Sequence, residues 1–366
     1  MLCSFIFWHH LVLAKTTDLS FEVLLNMMRR NLTIALFLSL AFFVGHAFPQ
    51  NSGYHLLTKY EVGGDGGWDY LLFHDNRLYI SRATRVIVVD AETGKTVGEI
   101  PNTNGVHGIA IADEFGRGFT SNGRDNNVTI FDVKTLKPIS NVPTGTNPDA
   151  IIYDPFSKDV FAFNGRSNNA TAIDAATGKV MATIDLGGKP EFAASDQKGN
   201  VFVNLEDKSQ VVRIDTKKLV ATDHWSIAPG EEASGMAIDL KHHRLFLVAS
   251  NKKMVVLDNQ TGKVVATPTI GDGPDAAAFD PGTELAFSSN GEGTLTIVHE
   301  DSADQFKVID TVTTQRGART MTLDPKTHRV FLPAAKYGEA PAATKENPRP
   351  RAPMIPNSFE ILVFGK

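Results

Sequence analysis

One phrase returns through the chain at a nearly constant interval: an apolar run closed by Asp, often followed by Thr-Gly-Lys. It ends at Asp90, Asp132, Asp174, Asp215 and Asp258, and a sixth copy, LTIVH, ends at His299. The successive intervals are 42, 42, 41, 43 and 41 residues. A period of this length marks a unit that stacks on its own copies, so the repeat constrains the fold more than any local propensity does. Each unit holds further apolar runs separated by turn residues, as in AIIYDP (Ala150 to Pro155), VFAFN (Val160 to Asn164) and KVMATIDLGG (Lys179 to Gly188). Four short strands per unit, with no helical period of apolar residues, is the pattern of one propeller blade.

Blade starts fall near Trp68, Val106, Pro148, Pro190, Ser234, Pro274 and Ala318. They predict an all-β, seven-bladed β-propeller of four-stranded blades. The seventh unit ends at FEILVFG (Phe359 to Gly365) and lacks a fourth strand, while YHLLTKYEVGG (Tyr54 to Gly64) has the fourth-strand pattern and precedes the first blade. Pairing the two closes the ring with the N-terminal strand and removes an exposed edge. Residues 48–366 then form a single propeller domain.

The segment before it reads differently. Arg29 and Arg30 precede a 13-residue apolar core, Leu32 to Val44, and Gly45-His46-Ala47 is a small-x-small cleavage site. That is a secretory signal cut after Ala47, with residues 1–47 an upstream extension plus signal peptide. The apolar core is short of the roughly 20 residues of a spanning helix, so no membrane anchor is expected after cleavage. The product is expected in the periplasm or outside the cell, as a monomer.

Composition excludes several chemistries. The chain has one cysteine, Cys3, which leaves with the signal, so disulfides, CxxC redox centres, CxxCH haem attachment and a Cys nucleophile are ruled out for the mature protein. A net charge of −5 argues against a broad nucleic-acid surface. No Ser-His-Asp arrangement or phosphate loop is legible.

The second and third strands together, VFAFNGRSNNATAIDAATGKV and GFTSNGRDNNVTIFDVKTLKP, resemble the YVTN-type repeat of secreted bacterial propellers, the YncE-like group. The resemblance runs from about Tyr54 to Lys366; His299 in place of Asp and a long insertion in blade seven depart from it. It implies an exported binding scaffold, with nucleic-acid binding reported for some members and metal-dependent lactonases among related propellers. The GH…WD signature, the Asp-box and the tryptophan docking repeats of quinoproteins are not apparent.

Aligning the first strands puts Asp69, His107, Asp149, Glu191, Ser234, Asp275 and Arg319 at the mouth of the central channel, where propeller loops gather function. Asp69, Asp149, Glu191 and Asp275 could coordinate a hard cation, and Ca²⁺ is the one candidate cofactor. Arg319 could instead neutralise an adjacent carboxylate. In the loops after the second strands Asn122, Asn164, Asn204 and Asn290 recur, and Asx-turns to their own backbone are the expected role. Arg82, Arg124 and Arg166 follow in three consecutive blades and would suit a carboxylate or phosphate ligand. The Asp of Asp-x-x-Thr-Gly-Lys is read as turn chemistry, Trp68 and Trp225 as packing, and His242-His243 as surface histidines on the opposite face.

Residues 336–356, with five prolines and four Lys/Arg, form a Pro-rich insertion that leaves the channel-mouth face. It is expected to act as a lid or docking arm, with Lys336, Lys345, Arg349 and Arg351 approaching the mouth carboxylates. These residues favour a non-enzymatic scaffold that binds a small ligand or a protein partner at the mouth. The alternatives are a lactonase-like metal-dependent hydrolase using the mouth carboxylates, and a binder of single-stranded nucleic acid.

Overall fold

The computed structural model describes residues 52–345, 350 and 352–366. Residues 1–47, read above as an extension plus signal peptide, and the arm residues Arg349 and Arg351 lie outside the described residues. Seven antiparallel sheets of four strands follow one another along the chain. Their innermost strands touch in blade order, and that of blade seven returns to that of blade one, which makes a ring. The blades span 68–100, 106–143, 148–185, 190–226, 233–266, 274–313 and, for the seventh, 322–365 together with His55–Glu61. Among the described residues no helix is long and apolar enough to cross a membrane.

The N-terminal strand closes the ring as expected. His55–Glu61 pairs antiparallel with Glu360–Gly365, with His55 opposite Gly365 and Glu61 opposite Glu360. The Tyr60 hydroxyl donates to the carbonyls of Ala91 (2.9 Å) and Glu92 (3.0 Å), which ties this strand to the outer turn of blade one. Gly94 in that turn has φ +72°, and a Cβ there would collide with the Tyr60 ring. Only glycine combines that dihedral with so close an approach.

Strand alternation explains where the core lies. Both faces of each blade carry apolar side chains, and each face packs on the next blade rather than on a common centre. Thus Ile80, Val89 and Leu71 of blade one pack against Phe331, Phe359 and Val363 of blade seven. Phe161, Val203 and Val212 do the same between blades three and four. The Asp residues that end the third strands act as turn residues: Asp90 Oδ1 accepts from the Thr93 N–H (2.7 Å) and hydroxyl (2.8 Å), and Asp174 repeats this with Thr177.

Candidate functional site

A recurrent irregularity positions the mouth residues. In each of the first six blades the register of the innermost strand shifts by one residue beside the mouth position, between Trp68 and Leu71 in blade one and between Pro274 and Ala276 in blade six. Such a bulge breaks the pleat and re-aims a side chain, here at the end of the strand that opens on the channel. Neighbouring blades then clamp the bulged backbone. Ser121 of blade two donates to the carbonyl of Asp149 in blade three, and Ser289 of blade six to that of Arg319 in blade seven. Ser234 Oγ reaches the carbonyl of Asp275 (3.0 Å), and Thr320 Oγ1 that of Asp69 (2.8 Å).

The mouth carboxylates do not form one ligand set. Asp69, His107 and Asp149 converge, with His107 Nδ1 2.5 Å from Asp69 Oδ2 and 3.6 Å from Asp149 Oδ1. Glu191 is instead held by Lys189, whose Nζ lies 2.7 Å from its Oε1 and also meets Glu206. Asp275 is held by Arg319, Nε to Oδ2 3.2 Å. Each acid therefore has a cationic neighbour, and Arg319 neutralises a carboxylate rather than standing apart.

Burial in the channel dominates the acidities. It pushes the carboxyls of Asp149 and Asp275 up to about 6, against the opposing pull of His107 and Arg319 respectively. Glu191 rises to about 7, from burial and then the charge of Asp149. Burial works against a charged His107, yet the Asp69 hydrogen bond and the charges of Asp149, Asp69 and Glu191 outweigh it, and its pKa lies above the ordinary imidazole value.

Four participants were not found from the sequence. Lys189 and Glu206 flank Glu191, one in the loop before its strand and one after the next strand, so only folding joins them. Tyr70 and Phe192 each follow a mouth residue, and their rings stack with centroids 4.5 Å apart. The Tyr70 hydroxyl is buried without a hydrogen-bond partner among the described residues. Burial first, then the charges of Asp149, Glu191, Asp69 and Asp275, holds its pKa well above the ordinary phenol value. The only available signal was an aromatic beside a mouth acid in DYLL and PEFA.

Beside the ring lies a cleft of about 1060 Å³. One wall is the rim of the mouth, with Trp68, Arg316 and Arg319; the other is the base of the arm, with Lys336, Tyr337 and Met354. The arm base is a short two-rung ladder, Gly338 N–H to Pro353 O (2.9 Å) and Ile355 N–H to Lys336 O (2.8 Å). It is seated by the Trp68–Tyr337 ring contact (6.3 Å) and by Gln315 Nε2 donating to Ala335 O (3.1 Å). Among the described residues, neither Lys336 nor Lys345 forms an ion pair with a mouth carboxylate; Arg349 and Arg351 lie outside them. Trp68 packs on Phe359 (5.1 Å) and also lines the cleft, a second role beyond packing.

The second group of candidates changes character. Arg82 is fully buried, and its guanidinium donates to the carbonyls of Gly63 (3.1 Å), Asp65 (2.9 Å) and Gly66 (2.9 Å) while lying over the Phe359 ring. Its Nη donors serve the chain and the whole side chain is enclosed, so it offers nothing to a ligand and breaks the expected row of three arginines; Arg124 and Arg166 are exposed. Asn122, Asn164 and Asn290 do not close Asx-turns with these amides. They are buried, and each amide nitrogen bridges to third-strand side chains, as Asn122 does to Asn127 (2.7 Å) and Thr129 (2.8 Å). Asn204 instead donates to Ser234 O (2.8 Å) in the next blade. His242 is not a plain surface histidine: its Nδ1 lies 2.8 Å from Asp239 and 3.1 Å from Glu300.

Comparison with known proteins agrees with this architecture. Residues 124–290 match the family model described as outer membrane protein assembly factor BamB. That stretch covers under half of the chain and runs from blade two into blade six. The repeats there are BamB-like. No curated protein matches the sequence. Among solved structures, Hydrazine Synthase of Kuenenia stuttgartiensis is similar, with a TM-score of 0.63 at 16% identity over 73% of this chain and 92% of that one. At that identity the likeness is one of fold.

Proposed function

We propose that the protein is an exported binding scaffold, a YncE-like variant of the propeller, that takes a small anionic ligand with an apolar or aromatic body in the cleft between the arm and the rim. The observation that carries this reading is the lining. Arg316 and Lys336 form no ion pair among the described residues, and Arg319 is half-exposed, so cationic donors share one concavity with Trp68, Tyr337 and Met354. Such a site holds a carboxylate or phosphate at its polar end and covers the remainder with rings. Pairing of each mouth carboxylate with His107, Lys189 or Arg319 weighs against Ca²⁺, which takes six to eight oxygens.

A second reading, metal-assisted hydrolysis, draws on Asp69, His107 and Asp149, whose candidate ligand atoms lie within 4.8 Å of one another. The buried, unpartnered Tyr70 hydroxyl nearby could then orient a substrate. Single-stranded nucleic acid is disfavoured by the burial of Arg82. The BamB-like stretch lends some support to a protein partner, with the exposed arm as its docking segment.

A Trp225→Phe variant of the mature protein leaves Trp68 as its fluorophore and can be titrated with aromatic carboxylates and aryl phosphates. The reading expects saturable quenching that Arg319→Ala and Arg316→Ala weaken about tenfold each. No saturable change with any member of the series would remove the small-anion reading.

A further inference from the structure

On the face opposite the mouth, three ligating side chains meet at the junction of blades five and six. Asp239 ends the innermost strand of blade five (Ala233–Asp239), His242 stands in the turn that follows, and Glu300 lies in the third strand of blade six (Thr294–Ser302). The Asp239 and Glu300 side chains are 3% and 0% exposed, and His242 reaches solvent at 24%.

Glu300 is out of place for this fold. Its backbone N–H bonds to Glu284 O, as those of Ala91 and Ala175 bond to Asn76 O and Lys158 O at the same position in blades one and three. Ala91 and Ala175 are buried, and blades two, four and five carry Val133, Thr216 and Asn259 at the same bond, so Glu300 is the one charge at this position among the first six blades. A carboxylate in that place is costly unless its charge is matched. The nearby guanidinium does not match it, because Arg244 is engaged by Asp258 (2.7 Å), Asp304 (3.2 Å) and the carbonyls of Ala303 and His242.

Elsewhere on this face one carboxylate meets one partner from the next blade, as Asp154 meets Ser195 (2.6 Å) and Asp280 meets His328 (2.7 Å). Here a single imidazole Nδ1 faces two carboxylates. One hydrogen cannot serve both, and buried Glu300 Oε2 has no N–H donor among the described residues, with the Asp239 carboxylate as its charged neighbour.

We propose that Asp239, His242 and Glu300 form a binding site for a first-row divalent cation of the zinc type, which staples blade five to blade six. The three ligand atoms lie within 4.8 Å of one another. Separations of 2.8 and 3.1 Å from the imidazole nitrogen to the two carboxylates suit adjacent ligands around an ion with bonds of about 2.0–2.2 Å. A dication balances the two buried carboxylates, and the exposed edge of His242 leaves room for water in the open positions. One nitrogen and two carboxylates favour Zn²⁺ over Ca²⁺, which prefers a larger all-oxygen shell. The proposal is independent of the cleft and of the mouth cluster.

The test uses the mature propeller stripped with chelator and titrated with Zn²⁺ and, separately, Ca²⁺. Calorimetry should show one Zn²⁺ equivalent per chain, with a rise of several degrees in Tm as binding draws on the folded state. Glu300→Ala restores the residue of blades one and three, so the metal-free variant should melt no lower than the parent. Together with His242→Ala it should lower Zn²⁺ affinity by more than about tenfold. The mouth variant Asp69→Asn/Asp149→Asn should keep the full Zn²⁺ response. Absence of a Zn²⁺-dependent shift in the parent overturns the proposal, as does a response abolished by the mouth variant but retained in Glu300→Ala, or one matched by Ca²⁺.

Discussion

Tyr70 of blade one stacks on Phe192 of blade four, 4.5 Å between ring centroids, although the two blades share no edge. The contact spans the central channel beneath the mouth and turns that mouth into a cup with an aromatic floor. Phe192→Ala should open the floor and cost about 2 kcal/mol, less than a fully buried Phe truncation because Phe192 is only part-buried. Tyr70→Phe keeps the stack and removes an unpartnered hydroxyl, so it should be neutral or stabilising within about 1 kcal/mol. Urea unfolding measures both; a Tyr70→Phe loss as large as that of Phe192→Ala would show that the hydroxyl has a partner essential to the fold.

Stability should fall as pH rises through the range where the mouth acids ionise. Asp149 and Asp275 move from 3.8 to about 6 on folding, and Glu191 from 4.5 to about 7. A carboxyl with a higher pKa in the folded state holds its proton more tightly there. Its contribution is complete below the unfolded pKa and is lost as pH rises through the folded one. Asp149→Asn removes one such group and should be more stable than the parent at pH 8 by about 1–2 kcal/mol, after allowance for channel water. The gain should vanish at pH 4. Equal urea midpoints for parent and variant at pH 8 would place the acid's ionisation outside the folding balance.

Arg82 should behave as a structural residue. Arg82→Ala leaves the carbonyls of Gly63, Asp65 and Gly66 without their donors and uncovers the Phe359 ring, a loss of about 3 kcal/mol or more. Arg124→Ala, on an exposed loop, should stay within about 0.5 kcal/mol. Thermal unfolding of the two variants gives the comparison, and an Arg82→Ala protein as stable as the parent would refute the assignment.

Deleting residues 52–62 should bare the edge of Glu360–Gly365 and remove the Tyr60 tie to blade one. The expected result is a broadened melt and concentration-dependent aggregation by light scattering. A truncated chain that melts as sharply as the parent would show that blade seven stands with three strands.

The arm should resist release by salt. Its base is seated by Trp68 against Tyr337 and by backbone rungs, contacts that screening does not weaken. Limited proteolysis within 339–345 should therefore run at the same rate at low and high ionic strength. Cleavage that accelerates with salt would restore an electrostatic latch.

The period of about 42 residues by itself determined the seven blades, their four strands and the ring closure, because in a repeat that offers no helices a β-sheet with apolar side chains on both faces buries them against its own copies. It also brought Asp69, His107, Asp149, Glu191, Asp275 and Arg319 to one end of the channel, since equivalent positions in equivalent strands share a height. What the repeat could not carry was how those side chains divide among partners. Lys189 takes Glu191, Arg319 takes Asp275 and His107 takes Asp69 through distances that depend on bulges and loop paths. Arg82 and Arg124 stand in similar loop phrases, yet one is buried on Phe359 and the other is exposed, because the closing strand and the segment 63–66 wrap only the first blade. His242 met Glu300 by the same logic: 58 residues apart in sequence, they become neighbours where blade five packs on blade six. Contacts within a repeat are written in its local pattern, whereas contacts between repeats are decided by packing.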